Sequence, residues 1–289
     1  MNQKPNFIII GAMKCATSTL HDQLAMQPGI FMTTLKEPNF FSNDEQYSKG
    51  LEWYISNFKN AKDTDICGES STHYTKLPTY PNTVQRIYQE LPNVKLIYVM
   101  RHPIDRLISQ YIHEWTFNLV PNNINKAIDT YIELVEYSLY SKQIKPYIET
   151  FGKKQILPIF FERVITNKQE ELEKICHFID YLSKPTWSIE KKAQNISAER
   201  LRENNIRDFF VEAPVLKEIR QQLIPVSWRK KVKSLWQIKE KPQINPQKLA
   251  ELKAIFDEDL AEMGSLLGVK LSCDSFKSIV TNKSLHWKF

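Results

Sequence analysis

Short apolar runs alternate along residues 1–182 with longer stretches in which apolar side chains recur at helical spacing. Short apolar runs bounded by turn residues are typical of buried strands, and apolar side chains spaced three or four apart are typical of helices with one buried face. These patterns predict strands near residues 6–11, 29–33, 65–69, 94–100 and 155–161. They predict helices near 17–27, 50–58, 79–91, 103–119, 124–134, 138–151 and 166–182. Strands that alternate with helices indicate an α/β fold with a mainly parallel central sheet flanked by helices.

The C-terminal part of the chain follows a different pattern. Between residues 183 and 245 charges are dense and prolines interrupt the chain, which predicts loops and short helices that fold over a cleft. Residues 246–267 predict a closing amphipathic helix, with Asn245 as N-cap and Pro246 at the first helical position. We interpret residues 1–289 as a single domain with its α/β core over residues 1–182. The predicted apolar side of the closing helix consists of Leu249, Leu252, Ile255, Phe256, Leu260 and Met263.

The turn after the first predicted strand carries the most informative chemistry. A helix that begins near Thr17 directs its free N–H groups and the positive end of its dipole at one spot. Lys14 adds a full positive charge there, and Thr17 and Ser18 add hydroxyls. Such a turn is typical of a phosphate-binding site. The predicted contributors are Gly11, Ala12, Lys14, Cys15, Ala16, Thr17 and Ser18.

This turn departs from the nucleoside-triphosphate loop G-x-x-x-x-G-K-[ST]. Lys14 comes three residues after Gly11, and Cys15 follows the lysine where a magnesium-binding hydroxyl would stand. A nucleotide kinase or hydrolase built on the same strand, loop and helix is therefore an alternative that the spacing disfavours. An ordinary strand-turn-helix with a surface lysine is the other alternative.

A second predicted anion site follows the strand near 94–100. Arg101 stands at the carboxyl end of that strand, and Pro103 suits the first turn of the next helix. Ser109 lies about two turns into that helix, on a face that could look back toward Arg101. Ligands of open α/β sheets bind at this edge. The alternative is an arginine that caps the helix or pairs with Asp105.

Two anion sites on one sheet suggest a ligand with two separated phosphate-type groups. The pair G-x-x-K-x-x-T at Gly11 and R-x-P-x-x-R-x-x-S at Arg101 resembles the sulfotransferases that use 3′-phosphoadenosine 5′-phosphosulfate (PAPS). The resemblance covers residues 6–182 and is closest to the bacterial branch and to Golgi-type carbohydrate and heparan enzymes. It implies a P-loop-like three-layer fold, a first loop that holds the 5′-phosphosulfate and a second that holds the 3′-phosphate.

Further segments resemble this family in the same order along the chain. The segment Lys36-Glu37-Pro38-Asn39-Phe40-Phe41 resembles the one that carries the catalytic carboxylate in heparan-type enzymes; the others are residues 50–54, 68–74, 138–140 and 160–163. The resemblance implies that Glu37 is the base that takes the acceptor proton, while Lys14 meets the charge that develops on the leaving phosphate. Glu37 could instead simply pair with Lys36 or Lys14. His73 is the second candidate for the base, and His102 is interpreted as structural.

The resemblance also implies a late basic loop over the 3′-phosphate, for which Arg200 is the candidate, with Lys191 and Lys192 nearby. It implies no metal requirement and adenosine 3′,5′-bisphosphate (PAP) as the product. A non-catalytic relative of the family is a further alternative, although such a protein need not keep Lys14, Glu37, Arg101 and Ser109 together.

Two positions depart from the heparan-type pattern, since Asn39 replaces a histidine and Ser70 replaces a lysine. These losses of positive charge near the acceptor indicate an acceptor other than an acidic glycan. Hydroxyls of sugars, lipids, polyketides or small metabolites all stay open, and an amine is less favoured. The acceptor is thus expected to be a small molecule, a carbohydrate or a lipid.

Composition excludes several classes of protein. The net charge of +6 is spread rather than striped, apart from residues 229–233, so a nucleic-acid-binding protein is not expected. The 4 cysteines lack C-x-x-C spacing and the 6 histidines show no metal spacing, so neither a disulfide framework nor a zinc site is expected. The sequence shows neither a long apolar span nor the features of a signal peptide, which predicts a cytoplasmic protein of bacterial type. The oligomeric state stays open.

Overall fold

The computed structural model describes residues 3–188 and 242–289 of the chain. Its central sheet has the strand order β2-β3-β1-β4-β5, and all four pairings are parallel. Ile9 lies opposite Ser70 on one side and Ile97 on the other, which places β1 at the centre. The strands are almost entirely buried, as expected for a parallel sheet covered on both faces. They are β1 (Phe7–Gly11), β2 (Ile30–Met32), β3 (Ile66–Ser70), β4 (Lys95–Met100) and β5 (Ile156–Phe160).

Helices flank this sheet, so the predicted α/β fold with a mainly parallel sheet is confirmed. Short 3-10 turns cover Thr72–Thr75 and Lys153–Gln155. No described helix is both long and apolar enough to cross a membrane. In chain order the α-helices are α1 (Thr17–Ala25), α2 (Asp44–Tyr47), α3 (Leu51–Ser56), α4 (Thr83–Glu90), α5 (Pro103–Thr116), α6 (Ile124–Thr130), α7 (Glu133–Glu136), α8 (Tyr140–Phe151), α9 (Phe161–Thr166), α10 (Lys168–Phe178), α11 (Pro246–Leu267) and α12 (Phe276–Asn282).

Several predicted helices are shorter or divided. The helix predicted near 166–182 is interrupted at Asn167, whose side-chain oxygen accepts a hydrogen bond from the Thr166 hydroxyl at 2.8 Å. Thr and Asn side chains compete in this way with helical hydrogen bonds. The helix predicted near 103–119 ends at Thr116, because Asn118 adopts a left-handed conformation with φ of 58°. The helix predicted near 124–134 is divided into α6 and α7, and α12 was not predicted.

The closing helix begins and ends where the sequence predicts. The Asn245 side-chain oxygen accepts a hydrogen bond from the Lys248 N–H at 2.7 Å, and Gly268 ends the helix with φ of 70°. The predicted apolar side is wrong at Ile255, which is 44% exposed. The helix docks on α8 through Asp259, whose carboxylate accepts hydrogen bonds from the N–H groups of Ser141 and Lys142, each at 3.1 Å.

The start of the predicted cleft-covering segment packs on α1. The amide side chains of Gln23 and Gln27 each donate to and accept from the backbone of Thr186 and Ser188, at 2.8–3.1 Å. These bonds fix the residues on either side of Trp187, which packs against the hydrophobic core. The rest of the predicted loops and short helices, including Arg200, Lys191 and Lys192, lies outside the described residues.

Candidate active site

The turn between β1 and α1 has the backbone geometry of an anion site. Lys14 and Ala16 both adopt left-handed conformations, with φ of 70° and 65°. Ala16 is the N-cap of α1, and no side chain caps the N–H groups of its first turn. Left-handed residues in a turn make concave groups of N–H donors, and strained residues of this kind cluster at ligand sites. The N–H groups at this end of α1 are therefore available to an anion.

Gly11 has a packing role at the base of this turn. Its φ is 149°, and a Cβ atom there would lie 1.9 Å from the Thr75 hydroxyl oxygen. That hydroxyl donates a hydrogen bond to the Ile10 carbonyl at 3.1 Å, which ties the 3-10 turn to the end of β1. Glycine at this position thus lets the segment after β3 approach the end of β1.

Two predicted cofactor contacts have side chains that point away from the cleft. Ala12 and Cys15 are buried in the core, at 1% and 0% exposure. Burial raises the pKa of the Cys15 thiol to about 12, with smaller opposing effects of Arg106 and Arg101. This thiol is neutral at physiological pH, which disfavours both a catalytic thiolate and a metal ligand at this position.

Arg101 connects the two predicted anion sites. One terminal nitrogen of its guanidinium group donates to the Lys14 carbonyl at 3.2 Å. The group lies 4.3 Å from the centre of the Phe161 ring, and its Nε is buried with no hydrogen-bond partner in the structure. The backbone is held by Tyr140, whose hydroxyl accepts from the Arg101 N–H at 3.2 Å and donates to the Arg101 carbonyl at 2.6 Å. A buried, unsatisfied donor of this kind fits an anionic ligand group.

The other polar residues of the second motif have separate roles. Ser109 lies on α5 and faces the same cleft as Arg101. Arg106 is fully buried, where it donates to the Leu134 carbonyl at 2.8 Å and to the Ser138 hydroxyl at 2.5 Å. It therefore holds α5 against α7 and the start of α8. Asp105 contacts Lys277 at 2.5 Å and His102 at 3.9 Å.

Glu37 lies on a loop that folds over the end of β3. Its N–H donates to the Ser70 carbonyl at 3.1 Å, and its carboxylate accepts from the Thr72 hydroxyl at 3.2 Å. The neighbouring Lys36 ammonium lies 3.6 Å from the same carboxylate and also donates to the Ser18 hydroxyl at the start of α1. Lys36 thus joins the first anion site to the loop of Glu37.

A buried carboxyl group supports this loop from below. Glu69 on β3 is fully buried and accepts hydrogen bonds from the Ser71 hydroxyl at 3.0 Å and the Tyr54 hydroxyl at 3.2 Å. The Ser71 hydroxyl in turn accepts from the Asn39 N–H at 3.2 Å. Burial is the main cause that raises the pKa of Glu69 to about 7. Glu37 and Asn39 both have positive φ, 55° and 51°, so this network holds a strained loop.

His73 lies beside Glu37 in the cleft. Its ring stacks on Tyr80 with 5.0 Å between ring centres, and its Nδ1 is buried without a hydrogen-bond partner in the structure. Burial, followed by the charge of Lys76, lowers the pKa of His73 to about 4. The imidazole is therefore neutral at pH 7. His102 connects segments of the fold instead. Its N–H donates to the Glu162 carboxylate at 2.9 Å, and its ring Nε2 lies 2.9 Å from the Cys273 carbonyl oxygen.

These elements surround one cleft of about 1130 Å³ at the carboxyl edge of the sheet. Of the predicted site residues, the cleft brings together Lys14, Ala16, Thr17, Ser18, Glu37, His73, Arg101 and Ser109. Gly11, Ala12 and Cys15 support it from the core side and do not line it.

A family model described as the sulfotransferase domain matches residues 4–211. The chain belongs to this family. The family inferred from the motifs at Gly11 and Arg101 is therefore confirmed.

Sulfotransferases with curated names share part of this sequence. Heparan sulfate glucosamine 3-O-sulfotransferase 5 of mouse and of human are each 28% identical over 192 residues, covering 62% of this chain and 54% of the relative. Membrane-associated sulfotransferase kil1 of Dictyostelium discoideum is 36% identical over 110 residues, covering 37% of this chain and 22% of the relative. The chain spans about half the length of the heparan sulfate relatives.

Solved sulfotransferase structures share the fold. The crystal structure of a sulfotransferase from Alicyclobacillus acidocaldarius matches with a TM-score of 0.67 at 22% identity, covering 93% of this chain and 98% of that chain. The structure of mouse sulfotransferase SULT7A1 complexed with PAP matches with a TM-score of 0.51 at 16% identity, covering 89% of this chain and 84% of that chain. The P-loop-like fold predicted for the chain is thereby confirmed.

The sulfotransferase cleft also contains residues that sequence reasoning missed. Phe161, which stacks on Arg101, belongs to a segment that resembles the family, but nothing in the pattern indicated its contact. Lys76 and Trp187 reach the cleft from segments without any motif. Among residues 3–188 and 242–289, no group of three or more His, Cys, Asp or Glu side chains could hold a metal ion.

Proposed function

We propose that this protein transfers a sulfuryl group from PAPS to a hydroxyl group of an acceptor. The observation that carries this proposal is the meeting of Lys14, the uncapped start of α1 and Arg101 in a single cleft. The fit to an anionic nucleotide rests on the unsatisfied Arg101 Nε and on the concave turn of left-handed residues.

The donor would lie along the sheet edge. Lys14, the hydroxyls of Thr17 and Ser18 and the first N–H groups of α1 would hold its 5′-phosphosulfate. Arg101 and Ser109 would hold its 3′-phosphate, because a guanidinium group suits the oxygens of a phosphate. When bound, the donor supplies the sulfuryl group that moves to the acceptor oxygen.

Two side chains would act on the reacting groups. The Lys14 ammonium would stabilise the negative charge that develops on the leaving phosphate oxygen. The Glu37 carboxylate would take the proton that the acceptor hydroxyl loses as its oxygen attacks. The Thr72 hydroxyl and the backbone bond to Ser70 would hold Glu37 in place for this step.

His73 stays the second candidate for the base. A neutral imidazole can accept a proton, and His73 lines the same cleft. Geometry favours Glu37. The His73 ring is packed flat against Tyr80, whereas the Glu37 carboxylate accepts a hydrogen bond from the Thr72 hydroxyl at 3.2 Å.

Calorimetry on the full chain tests the donor assignment. PAP should bind with micromolar affinity in the presence of EDTA, and magnesium should leave this affinity unchanged. Binding of ATP that requires magnesium, without binding of PAP, would contradict the proposal and favour a kinase or nucleotide hydrolase. Binding of PAP without sulfuryl transfer to any acceptor in a labelled-sulfate screen would indicate a non-catalytic relative.

A further inference from the structure

The end of the cleft beyond Glu37 is built from elements that the donor does not need. These are the segment from the 3-10 turn to Lys76, the last part of α5 with the residues that follow it, and α7 with its flanking residues. Their side chains line the cleft as one group, which we call the acceptor end. It consists of His73, Lys76, His113, Glu114, Leu119, Tyr131, Glu133 and Tyr137.

The acceptor end is a packed cluster rather than a loose rim. The Lys76 ammonium lies 5.6 Å from the centre of the Tyr137 ring, and the Tyr137 hydroxyl lies 2.5 Å from the Thr79 hydroxyl. Burial lowers the pKa of Lys76 to about 8, while Glu37 and then Glu114 act in the opposite direction. Glu37 and Glu114 are thus both close enough to Lys76 to interact with it.

Charge is divided unequally along the cleft. The donor end carries Lys14, Lys36 and Arg101, as a polyanionic nucleotide requires. Among the described residues that line the acceptor end, Glu114 and Glu133 carry carboxylates and Lys76 carries an ammonium group, while the buried Arg106 guanidinium lies behind them and also interacts with Glu114. Neither carboxylate forms an ion pair within 4 Å with a cation of the described chain, although Gln110 donates a hydrogen bond to Glu114 at 2.5 Å. Within residues 3–188 and 242–289, the side chains that line the acceptor end therefore include more carboxylates than ammonium groups.

This excess bears on the acceptor. A sulfated glycan would bring negative charges against Glu37, Glu114 and Glu133, and like charges across an interface are unfavourable. An ammonium group would be attracted to the same carboxylates. The rings of Tyr131 and Tyr137 and the 59% exposed side chain of Leu119 supply surface for an aromatic or aliphatic body.

We propose that the acceptor is a hydroxyl compound with an aromatic or aliphatic body and a neutral or positively charged head, and that Glu114 and Glu133 select against anionic acceptors. The proposal rests on the function proposed above. It differs from the acceptor that the names of the heparan sulfate relatives give for those proteins.

Three phenols of matched size test this selection on the full chain saturated with PAP. Tyramine carries an ammonium group, 4-ethylphenol is neutral and 4-hydroxyphenylacetate carries a carboxylate. Dissociation constants from ligand-observed NMR should be smallest for tyramine, larger for 4-ethylphenol and largest for 4-hydroxyphenylacetate. The first and the last should differ by roughly tenfold or more at low salt. A heparan sulfate oligosaccharide should bind more weakly than tyramine under the same conditions.

Variants separate selection by charge from non-specific binding. In the double variant Glu114→Gln, Glu133→Gln, the dissociation constants of tyramine and 4-hydroxyphenylacetate should become nearly equal. The affinity for PAP should stay unchanged. The control variant Glu149→Gln changes an exposed glutamate on α8 away from the cleft. It should show the same ratio of these two dissociation constants as the unmodified chain.

Three outcomes would overturn the inference. They are failure of all three phenols to bind, equal or tighter binding of 4-hydroxyphenylacetate or of the oligosaccharide, and an unchanged ratio in the double variant. Each leaves PAP binding intact, so it differs from failure of the proposed function, in which PAP itself would not bind.

Discussion

The two ends of the cleft differ in how they are built. The donor end is built mainly from the segments that follow β1 and β4, two neighbouring strands of one sheet, with Lys36 added from the loop after β2. The acceptor end consists of residues from a 3-10 turn, from α5 and from α7, three segments that are distant in sequence. In the described part of the chain, the lining of the donor end is cationic, and the lining of the acceptor end has more carboxylates than ammonium groups. The two ends therefore depend on different parts of the chain, so a substitution in one can leave the other intact.

Glu37 marks the boundary between the two ends, and its replacement should have the largest effect. Glu37→Gln keeps the shape of the side chain but removes the proton acceptor, so turnover should fall by roughly two to four orders of magnitude. Affinity for PAP should stay within about twofold of the unmodified chain, since the donor end is intact. Labelled-sulfate transfer and calorimetry measure the two quantities.

Two comparisons support this measurement. Glu45→Gln, an exposed glutamate on α2, should leave turnover unchanged. If His73→Ala produces the loss and Glu37→Gln does not, His73 is the base and our assignment is wrong.

Lys14 tests whether the donor end acts in the reaction as well as in binding. Lys14→Ala should lower turnover roughly 10²- to 10³-fold, the scale for loss of one group that stabilises developing charge. The affinity for PAP should fall by a smaller factor. Lys62→Ala, an exposed lysine remote from the cleft, is the matched control. Unchanged turnover at saturating PAPS would refute the role of Lys14.

Arg101 tests whether the second anion site serves binding. Arg101→Ala should weaken PAP roughly 10- to 100-fold, as expected for loss of a charged hydrogen-bond donor, with little change in turnover at saturating donor. Arg86→Ala removes an arginine that pairs with Asp44 outside the cleft, and it should bind PAP normally. Adenosine 5′-phosphate should lose little affinity in Arg101→Ala, because it lacks the 3′-phosphate. Equal losses for both nucleotides would contradict the assignment.

Glu69 tests whether burial raises the pKa of the carboxyl group beneath the loop of Glu37. The pKa of Glu69 is raised from 4.5 to about 7, so its stabilising effect is fully present below about pH 4.5 and is lost as pH rises through 7. Between pH 5 and pH 7 the free energy of unfolding of the unmodified chain should fall by about 2 kcal/mol relative to Glu69→Gln. Urea unfolding at several pH values measures this difference, and parallel pH profiles for the two chains would exclude the raised pKa.

Much of the donor end could be predicted because its signals are local. A strand, a turn with Lys14 and a helix start lie within a few residues, and the physics of a helix N-terminus needs no other part of the chain. The motif at Arg101 is equally short. The contact between the Arg101 guanidinium and the Lys14 carbonyl was not encoded in either motif, since it depends on β1 and β4 being neighbours in the sheet.

Local patterns in the sequence were enough to predict the α/β alternation, the mainly parallel sheet, the closing helix from Asn245 to Gly268 and the two turns that we propose to bind anions. These features follow from hydrophobic periodicity, capping and strand-to-helix turns, which act over a few residues. The packing of distant segments buries Cys15, stacks Phe161 on Arg101 and places Glu114 and Glu133 in the same cleft as Glu37. Burial, stacking and charge proximity are set by which segments pack together, and residues separated by dozens of positions carry no local signal of that packing.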